Sequence, residues 1–338
     1  MARKASIHQL IFGVRIRSKR DLEVRMSKLE TLAPVEPELF FRRDDINDPR
    51  LGEIIPTIAY EDASIVIIGC PQDEGVRRNK GRIGAAEAPT EIRRQFYKLT
   101  PFGISQKIAD IGDVDCSGSL EEIHDRLTDA VAEIIADGKK AIVLGGGNDI
   151  SYADGRAMAK TFGSENWLGV NVDAHFDVRD DAERNSGTPY RQLLEEKLIS
   201  PEYFFEAGYQ PQLASPIYFR YLNDLGVNLL SLDELRSSEA DGLRYRMREQ
   251  FIHHSQSLSA FFGFDIDAVN SSDAPGSSAP SPMGLRAGEF LNLVKFAASL
   301  SNTKIIEFTE VNPTYDIDDR TAKLVALAMH QFCANASR

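Results

Sequence analysis

Cysteine, positive charge and long apolar runs are all scarce in this 338-residue chain, and each scarcity removes a class of protein. The three cysteines, Cys70, Cys116 and Cys333, are odd in number and far apart. That pattern excludes a disulfide framework, offers no zinc-type pair, and fits reduced thiols in a cytoplasmic protein. Against 51 acidic residues stand 39 Lys and Arg, a formal charge of -12. Such a balance opposes non-specific attachment to nucleic acid or anionic lipid, since both depend on cations to neutralise phosphate. No apolar run nears the roughly 18 residues of a membrane span, and no stretch has the charged start, apolar middle and small-residue end of a signal peptide. The expectations are a cytoplasmic location, no membrane and no nucleic-acid partner. Residues 1–20 run against the general acidity, with Arg3, Lys4, Arg15, Arg17, Lys19 and Arg20 and no acid before Asp21. Organelle transit peptides share that composition. A solvated helical extension is the plainer reading, and residues 1–36 are taken as an N-terminal extension without assigned function.

What is present suits a globular enzyme: 42% hydrophobic and 27% charged residues supply the apolar mass for a sizeable core. From about residue 60, short β-branched or apolar runs alternate with longer segments of helical period, the pattern of a parallel sheet with crossover helices. Strands are predicted at 64–69, 141–144, 168–173, 227–231, 260–266 and 304–310, and helices at 87–98, 120–137, 150–161, 189–197, 239–251, 285–300 and 318–335. The alternation reaches residue 335 without a linker, a low-complexity tract or a repeat, so residues 37–338 are read as one domain. Segment 270–284, NSSDAPGSSAPSPMG, has a linker's composition. It follows a strand that ends in carboxylates, which favours an active-site loop.

Open parallel sheets bind ligands at the carboxyl ends of their strands. Four predicted strands end in polar motifs: GGGNDIS at 145–151, DAHFDVR at 173–179, FDIDAV at 264–269 and TEVNP at 309–313. If DAHFD stays extended, Asp173, His175 and Asp177 point the same way, and Asp265 and Asp267 repeat the two-residue spacing. Four carboxylates converging without a cation would repel strongly, and some would stay protonated. Two divalent ions remove that difficulty, and oxygen ligands with an imidazole suit Mn²⁺ best, with Fe²⁺, Co²⁺ and Zn²⁺ as the alternatives that geometry must separate. A lone DxD is often a helix cap or a solvated turn; several such motifs at neighbouring strand ends are not explained that way. Gly145, Gly146 and Gly147 lack the GxGxxG spacing of a nucleotide loop and are expected to let the turn pass close to the metals. His8, His124, His253, His254 and His330 have no motif context, so surface or packing roles suffice for them. Trp167 opens a strand and is expected in the core.

Taken in order, GGGxD, DAHFD, FDID and EVNP resemble the arginase and agmatinase (ureohydrolase) family over about residues 37–335. CPQDEGVRRNKGRIGAAEAP at 70–89, DAHFDVR, SGTPYRQ at 186–192 and APGSSAP at 274–280 are similar to its formimidoylglutamase branch, as is FFRRDDINDPRLGEII at 40–55. The resemblance implies a three-layer arginase-like α/β fold, a central mainly parallel β-sheet flanked by helices. It further implies two Mn²⁺ ions, a homo-oligomer, and a small-molecule amidine as the partner. Carried over by position, the metal ligands are Asp173, His175, Asp177, Asp265 and Asp267, with Asn148 where the family has His. Asparagine keeps the charge balance but is a weaker donor. Losing even an outer partner of a metal ligand costs roughly 10–100-fold in affinity or activity. The ion nearest Asn148 is therefore expected to be loose, absent or of a different metal.

The reaction implied is metal-assisted hydrolysis of the C–N bond of a linear amidine, with N-formimino-L-glutamate as the preferred substrate and glutamate and formamide as products. Asp177 would take the water's proton and pass it to the leaving nitrogen. Glu310 would orient the imino nitrogen. Arg179 and Ser186 are the preferred substrate contacts. Arg77, Arg78 and Arg82 complete a carboxylate clamp, or else pair with surface acids such as Glu74. Residue 190 is Tyr where arginases carry a proton-shuttling His, which argues against an arginine substrate. Two other readings stand beside this one: an agmatinase or guanidino-acid hydrolase, and a binding or regulatory protein whose catalysis is weakened through Asn148.

Overall fold

The computed structural model describes Leu29, residues 31–237 and residues 258–337. The predicted helix at 239–251, the basic segment before residue 29, and His8, His253 and His254 lie outside the described residues. Eight strands form one sheet: β1 (Ile65–Gly69), β2 (Ile108–Asp113), β3 (Lys140–Leu144), β4 (Trp167–Val172), β5 (Phe204–Tyr209), β6 (Asn228–Ser231), β7 (Ser259–Asp265) and β8 (Thr303–Thr309). Their order across the sheet is β2-β1-β3-β8-β7-β4-β5-β6, and every adjacent pair is parallel. The chain is an α/β protein with helices on both faces of the sheet.

Along β1 the side chains alternate between the two faces: Ile65 and Ile67 join one hydrophobic cluster, Val66 and Ile68 the other. Helices cover both faces, so the inner strands read as continuous apolar runs. The Ala88–Phe96, Ala287–Ser299 and Arg320–Asn335 helices pack on one side, and the Leu120–Ala136 and Ser151–Phe162 helices on the other. Ser119 opens the Leu120–Ala136 helix with a capping box, its hydroxyl accepting from the Glu122 amide while the Glu122 carboxylate takes the Ser119 amide. Trp167 is fully buried and its indole donates to the Leu198 carbonyl at 3.0 Å.

All six predicted strands are present within one or two residues, and β2 and β5 were not anticipated. Both hide acids inside an otherwise ordinary strand. In β2 (IADIGD), Asp110 and Asp113 are paired with the buried Arg93 at 2.9 and 2.5 Å, and Tyr97 donates to Asp110 at 2.6 Å. In β5 (FFEAGY), Glu206 is buried and accepts from Asn171 at 3.0 Å, and burial pushes its carboxyl well above the usual range. The helix Pro216–Leu225 was also unforeseen.

The strand order positions the site. The chain lays down β3, skips two places to β4, and returns to fill the gap with β7 and β8. The four strands whose carboxyl ends carry the polar motifs are thereby the four central neighbours, β3, β8, β7 and β4.

Candidate metal and catalytic centre

Asp173 and Asp265 leave the ends of β4 and β7 by the same local device. The Asp173 carboxylate accepts the His175 amide at 2.7 Å, and the Asp265 carboxylate accepts the Asp267 amide at 2.8 Å. Each aspartate caps a turn that swings the residue two positions on toward the sheet axis. Convergence does not come from strand alternation, because β4 ends at Val172 and DAHFD is not extended. Asp177 reaches the cluster through a left-handed backbone, φ 48°, and Glu310, just past β8, has φ 61°. Non-glycine residues held there cost about 1–3 kcal/mol each and concentrate where geometry serves function.

The result is two ligand-like groups sharing one residue. Donor atoms of Asp173, His175 and Asp267 lie within 4.8 Å of one another, as do those of Asp173, Asp177 and Asp265. Imidazole Nδ1 of His175 is 3.1 Å from Asp267 and 3.4 Å from Asp173. The carboxylates are buried and crowd one another, so burial, reinforced by neighbouring negative charge, pushes Asp173 up to about 6 and Asp177 and Asp265 well above the usual range. Asp267, facing His175, is lowered, and His175 is pushed up to about 12, chiefly by Asp267. One oxygen of Asp267 is buried without a partner. Hard oxygens, an imidazole and uncompensated negative charge in one place fit divalent cations of the Mn²⁺ type.

Asn148 sits beside this cluster but turns its amide oxygen away. Its Nδ2 donates to Asp177 at 2.6 Å, while its Oδ1 faces the hydroxyls of Ser151 at 3.0 Å and Thr309 at 2.9 Å. Ser151 also donates to Glu307 at 2.7 Å, whose carboxyl burial pushes well above the usual range. The Asn148 oxygen accepts from the two hydroxyls and its nitrogen donates to Asp177, so the amide lies beside the cluster with its donor end toward it. Its own backbone amide donates to Glu310 at 2.9 Å. The adjoining Asp149 is buried and held by His124 at 2.8 Å and by Gln72 at 2.8 Å. His124, for which a surface or packing role was expected, thus steadies the turn that carries Asn148.

The three glycines answer to neighbouring loops rather than to the cluster itself. A Cβ on Gly146 would lie 1.5 Å from the Gln72 carbonyl oxygen, and the Gly146 carbonyl accepts the Glu310 amide at 2.8 Å. Close packing of the loops after β1, β3 and β8 is what requires glycine here.

Above the cluster opens a cavity of about 380 Å³. His175, Asp177, Asp265, Asp267 and Glu310 lie at its base, and Arg179, Ser186, Asn79, Tyr218 and Ser278 are among the residues of its wall. Ser186 accepts from Asn79 at 3.0 Å. Arg179 is exposed, its chain passes over Gly187, and no acid pairs with it among the described residues. Burial pushes Glu310 up to about 8, and one of its oxygens has no partner. The other three arginines are engaged elsewhere. Arg77 pairs with Glu74 at 2.6 Å, and Arg78 with Glu74 and Glu121 at 3.0 Å each. Arg82 donates to the carbonyls of Ser277 and Ser278. Tyr190 is buried and stacked on Phe204 at 4.9 Å, away from the cavity wall. Tyr218, in the helix Pro216–Leu225, had no sequence signal, whereas Asn79 and Ser278 lie within the motifs at 70–89 and 274–280 without having been singled out.

Comparison with known proteins gives one consistent answer. The model of the Arginase family matches residues 63–334. A formimidoylglutamase of Staphylococcus aureus is 33% identical over 315 residues, covering 88% of this chain and 98% of its own. The crystal structure of Trypanosoma cruzi formiminoglutamase with Mn²⁺ superposes with a TM-score of 0.78 at 34% identity, covering 86% of this chain and all of that one. An Asn-to-His variant of that protein, also with Mn²⁺, gives 0.77 at 33% identity, covering 86% and 98%. Both the aspartate-capped turns and the matching proteins lead to one conclusion: the chain belongs to the arginase family, as a hydrolase acting on amidines.

Proposed function

We propose that the substrate is N-formimino-L-glutamate and that the centre works with two Mn²⁺ ions. The carrying observation is the unpaired Arg179 guanidinium on the wall of a cavity whose base is the carboxylate cluster. An arginine fork with Ser186 and Asn79 alongside suits a substrate carboxylate and repels a cationic guanidino chain. The relatives named formimidoylglutamase or formiminoglutamase support the same choice.

Asp173, His175 and Asp267 would hold one ion and Asp173, Asp177 and Asp265 the other. When bound, such ions lower the pKa of water toward neutrality and stabilise developing negative charge. The free oxygen of Glu310 accepts from the amidine nitrogen and directs its carbon toward the cluster. Water adds to that carbon, Asp177 carries the water's proton to the departing amine, and the C–N bond breaks to give formamide and glutamate. Asn148, donating to Asp177, keeps that carboxylate's remaining lone pairs aimed at the cavity base.

Metal analysis paired with hydrolysis assays on the native chain and on Asn148→His tests this reading. About two Mn²⁺ per chain and formamide release from formimino-glutamate are expected. Hydrolysis of guanidino compounds instead would reject the substrate. A metal-free, inactive native chain rescued by Asn148→His would reject the two-ion centre.

A further inference from the structure

Arg82 lies in the loop after β1, yet its contacts are with two other loops of the site. Its guanidinium donates to the carbonyl of Ser277 and, at 3.3 Å, to that of Ser278, and it rests over the Tyr315 ring with 4.1 Å to the centroid. The Asn312 side chain returns the grip, donating to the Arg82 and Ile83 carbonyls at 2.9 and 3.1 Å. Three loops therefore close on one side chain: the loop after β1, the segment 274–280, and the segment 310–315 that follows β8.

Two of those loops carry groups that face the substrate. Ser278 and Glu310 both line the cavity, and the Ser278 hydroxyl and one Glu310 oxygen are buried there without a hydrogen-bond partner. Ser277 bridges Val311, the residue after Glu310. Glu310 itself stands in a left-handed conformation that the surrounding chain must enforce. Arg82 is half-buried and absent from the cavity wall. A planar fork that takes two successive carbonyls while stacked on an aromatic ring fixes the peptide plane between them.

We propose that Arg82 is a positioning residue, which holds the Ser277–Ser278 peptide and through it sets Ser278 and Glu310 at the cavity wall without touching substrate. This rests on the amidine-hydrolase reading above. It differs from a carboxylate clamp in what its loss should do. Misplacing an orienting group by about 1 Å costs roughly 100-fold in rate, whereas losing a clamp raises KM for whichever substrate carries the carboxylate.

The experiment uses the Mn²⁺-loaded full chain with Arg82→Ala, Arg82→Lys and Tyr315→Leu. kcat and KM are measured on N-formimino-L-glutamate and on N-formiminoglycine, which lacks the side-chain carboxylate. Hydrogen exchange is followed in peptides covering residues 274–280 and 308–315. Arg82→Ala should lower kcat about 10- to 100-fold on both substrates alike, leave Mn²⁺ content unchanged, and speed exchange in both peptides. Arg82→Lys should recover part of the rate, and Tyr315→Leu should lower it about 3-fold, as expected for loss of a stacking contact. A rise in KM confined to the dicarboxylate would make Arg82 a clamp and overturn the proposal. So would unchanged kinetics with only a lower Tm, since that is a purely structural residue. If the native chain hydrolyses neither substrate, the functional reading fails, and unaltered exchange in Arg82→Ala would separately overturn the positioning role.

Discussion

Two charge-rich segments meet at the cavity and behave in opposite ways. Segment 74–82 is basic, and its Arg77, Arg78 and Arg82 are each satisfied by carboxylates or carbonyls of the protein itself. Segment 173–179 brings Asp173, His175 and Asp177 together with Asp265 and Asp267, where burial and like charge crowd the carboxylates, and it ends in Arg179, with which no acid pairs among the described residues. In sequence both look like ligand sites. What separates them is whether the charge is already answered within the fold: a paired guanidinium has little left to offer a ligand, while an unpaired one, or a crowd of buried carboxylates, does.

The largest effect should come from the residue shared by both halves of the cluster. Asp173→Asn is expected to abolish stoichiometric Mn²⁺ binding and to lower hydrolysis by more than about 10³-fold, beyond the roughly 10–100-fold seen when only an outer partner is lost. Metal analysis and a formamide assay on the same sample check it. Retention of two ions would mean that neither half of the cluster needs Asp173.

Next in size is the unpaired arginine. Arg179→Ala removes a charge-assisted contact worth about 1.5–3 kcal/mol, so KM for formimino-glutamate should rise roughly 10- to 100-fold with kcat nearly unchanged. An unchanged KM would place the carboxylate elsewhere.

Metal removal should make stability depend on pH with a definite sign. In the metal-free chain Asp173 is raised from its ordinary value to about 6 and His175 to about 12, so the folded state holds more protons than the unfolded one across that range. The stability these two groups contribute to the metal-free protein is therefore full below about pH 4 and is lost as pH rises, first through Asp173 and then, from about 6.5, through His175, while the lowered Asp267 acts in the opposite sense at acid pH. Mn²⁺ displaces those protons, so its stabilisation grows in the same direction. The Tm gap between Mn²⁺-loaded and EDTA-treated samples should widen from pH 5 to pH 8; a constant gap would show that the cluster is not the metal site.

The smallest effect is the control for the other segment. Arg77→Ala breaks an exposed ion pair with Glu74 and should leave KM within about twofold and Tm within about 1 °C of the native values, as exposed pairs contribute little.

Much of the site was legible because its chemistry is local. Asp173 and His175, and again Asp265 and Asp267, stand two apart in sequence, and a strand end followed by a capped turn suffices to bring each pair to one side. The strand Lys140–Leu144 and its glycine turn were legible for a similar reason, a short apolar run closed by residues that only a tight loop requires. The strands Ile108–Asp113 and Phe204–Tyr209 were not. Their acids look out of place until Arg93 and Asn171, distant in the chain, are seen to answer them.

Residue type and local spacing were thus enough for most of the alternation of strands and helices and for the members of the acidic cluster, and the resemblance of the motifs pointed to the family. Only the folded chain decided the rest, because each remaining question concerned partners far apart in sequence. It placed β7 and β8 between β3 and β4, so that four separate motifs became neighbours. It turned the Asn148 oxygen toward Ser151 and Thr309 and its nitrogen toward Asp177. Of four arginines that could have served a substrate carboxylate, it spent three on internal contacts and left Arg179 open. Hydrogen bonds and ion pairs are short-ranged, so which groups they satisfy is a property of three-dimensional adjacency.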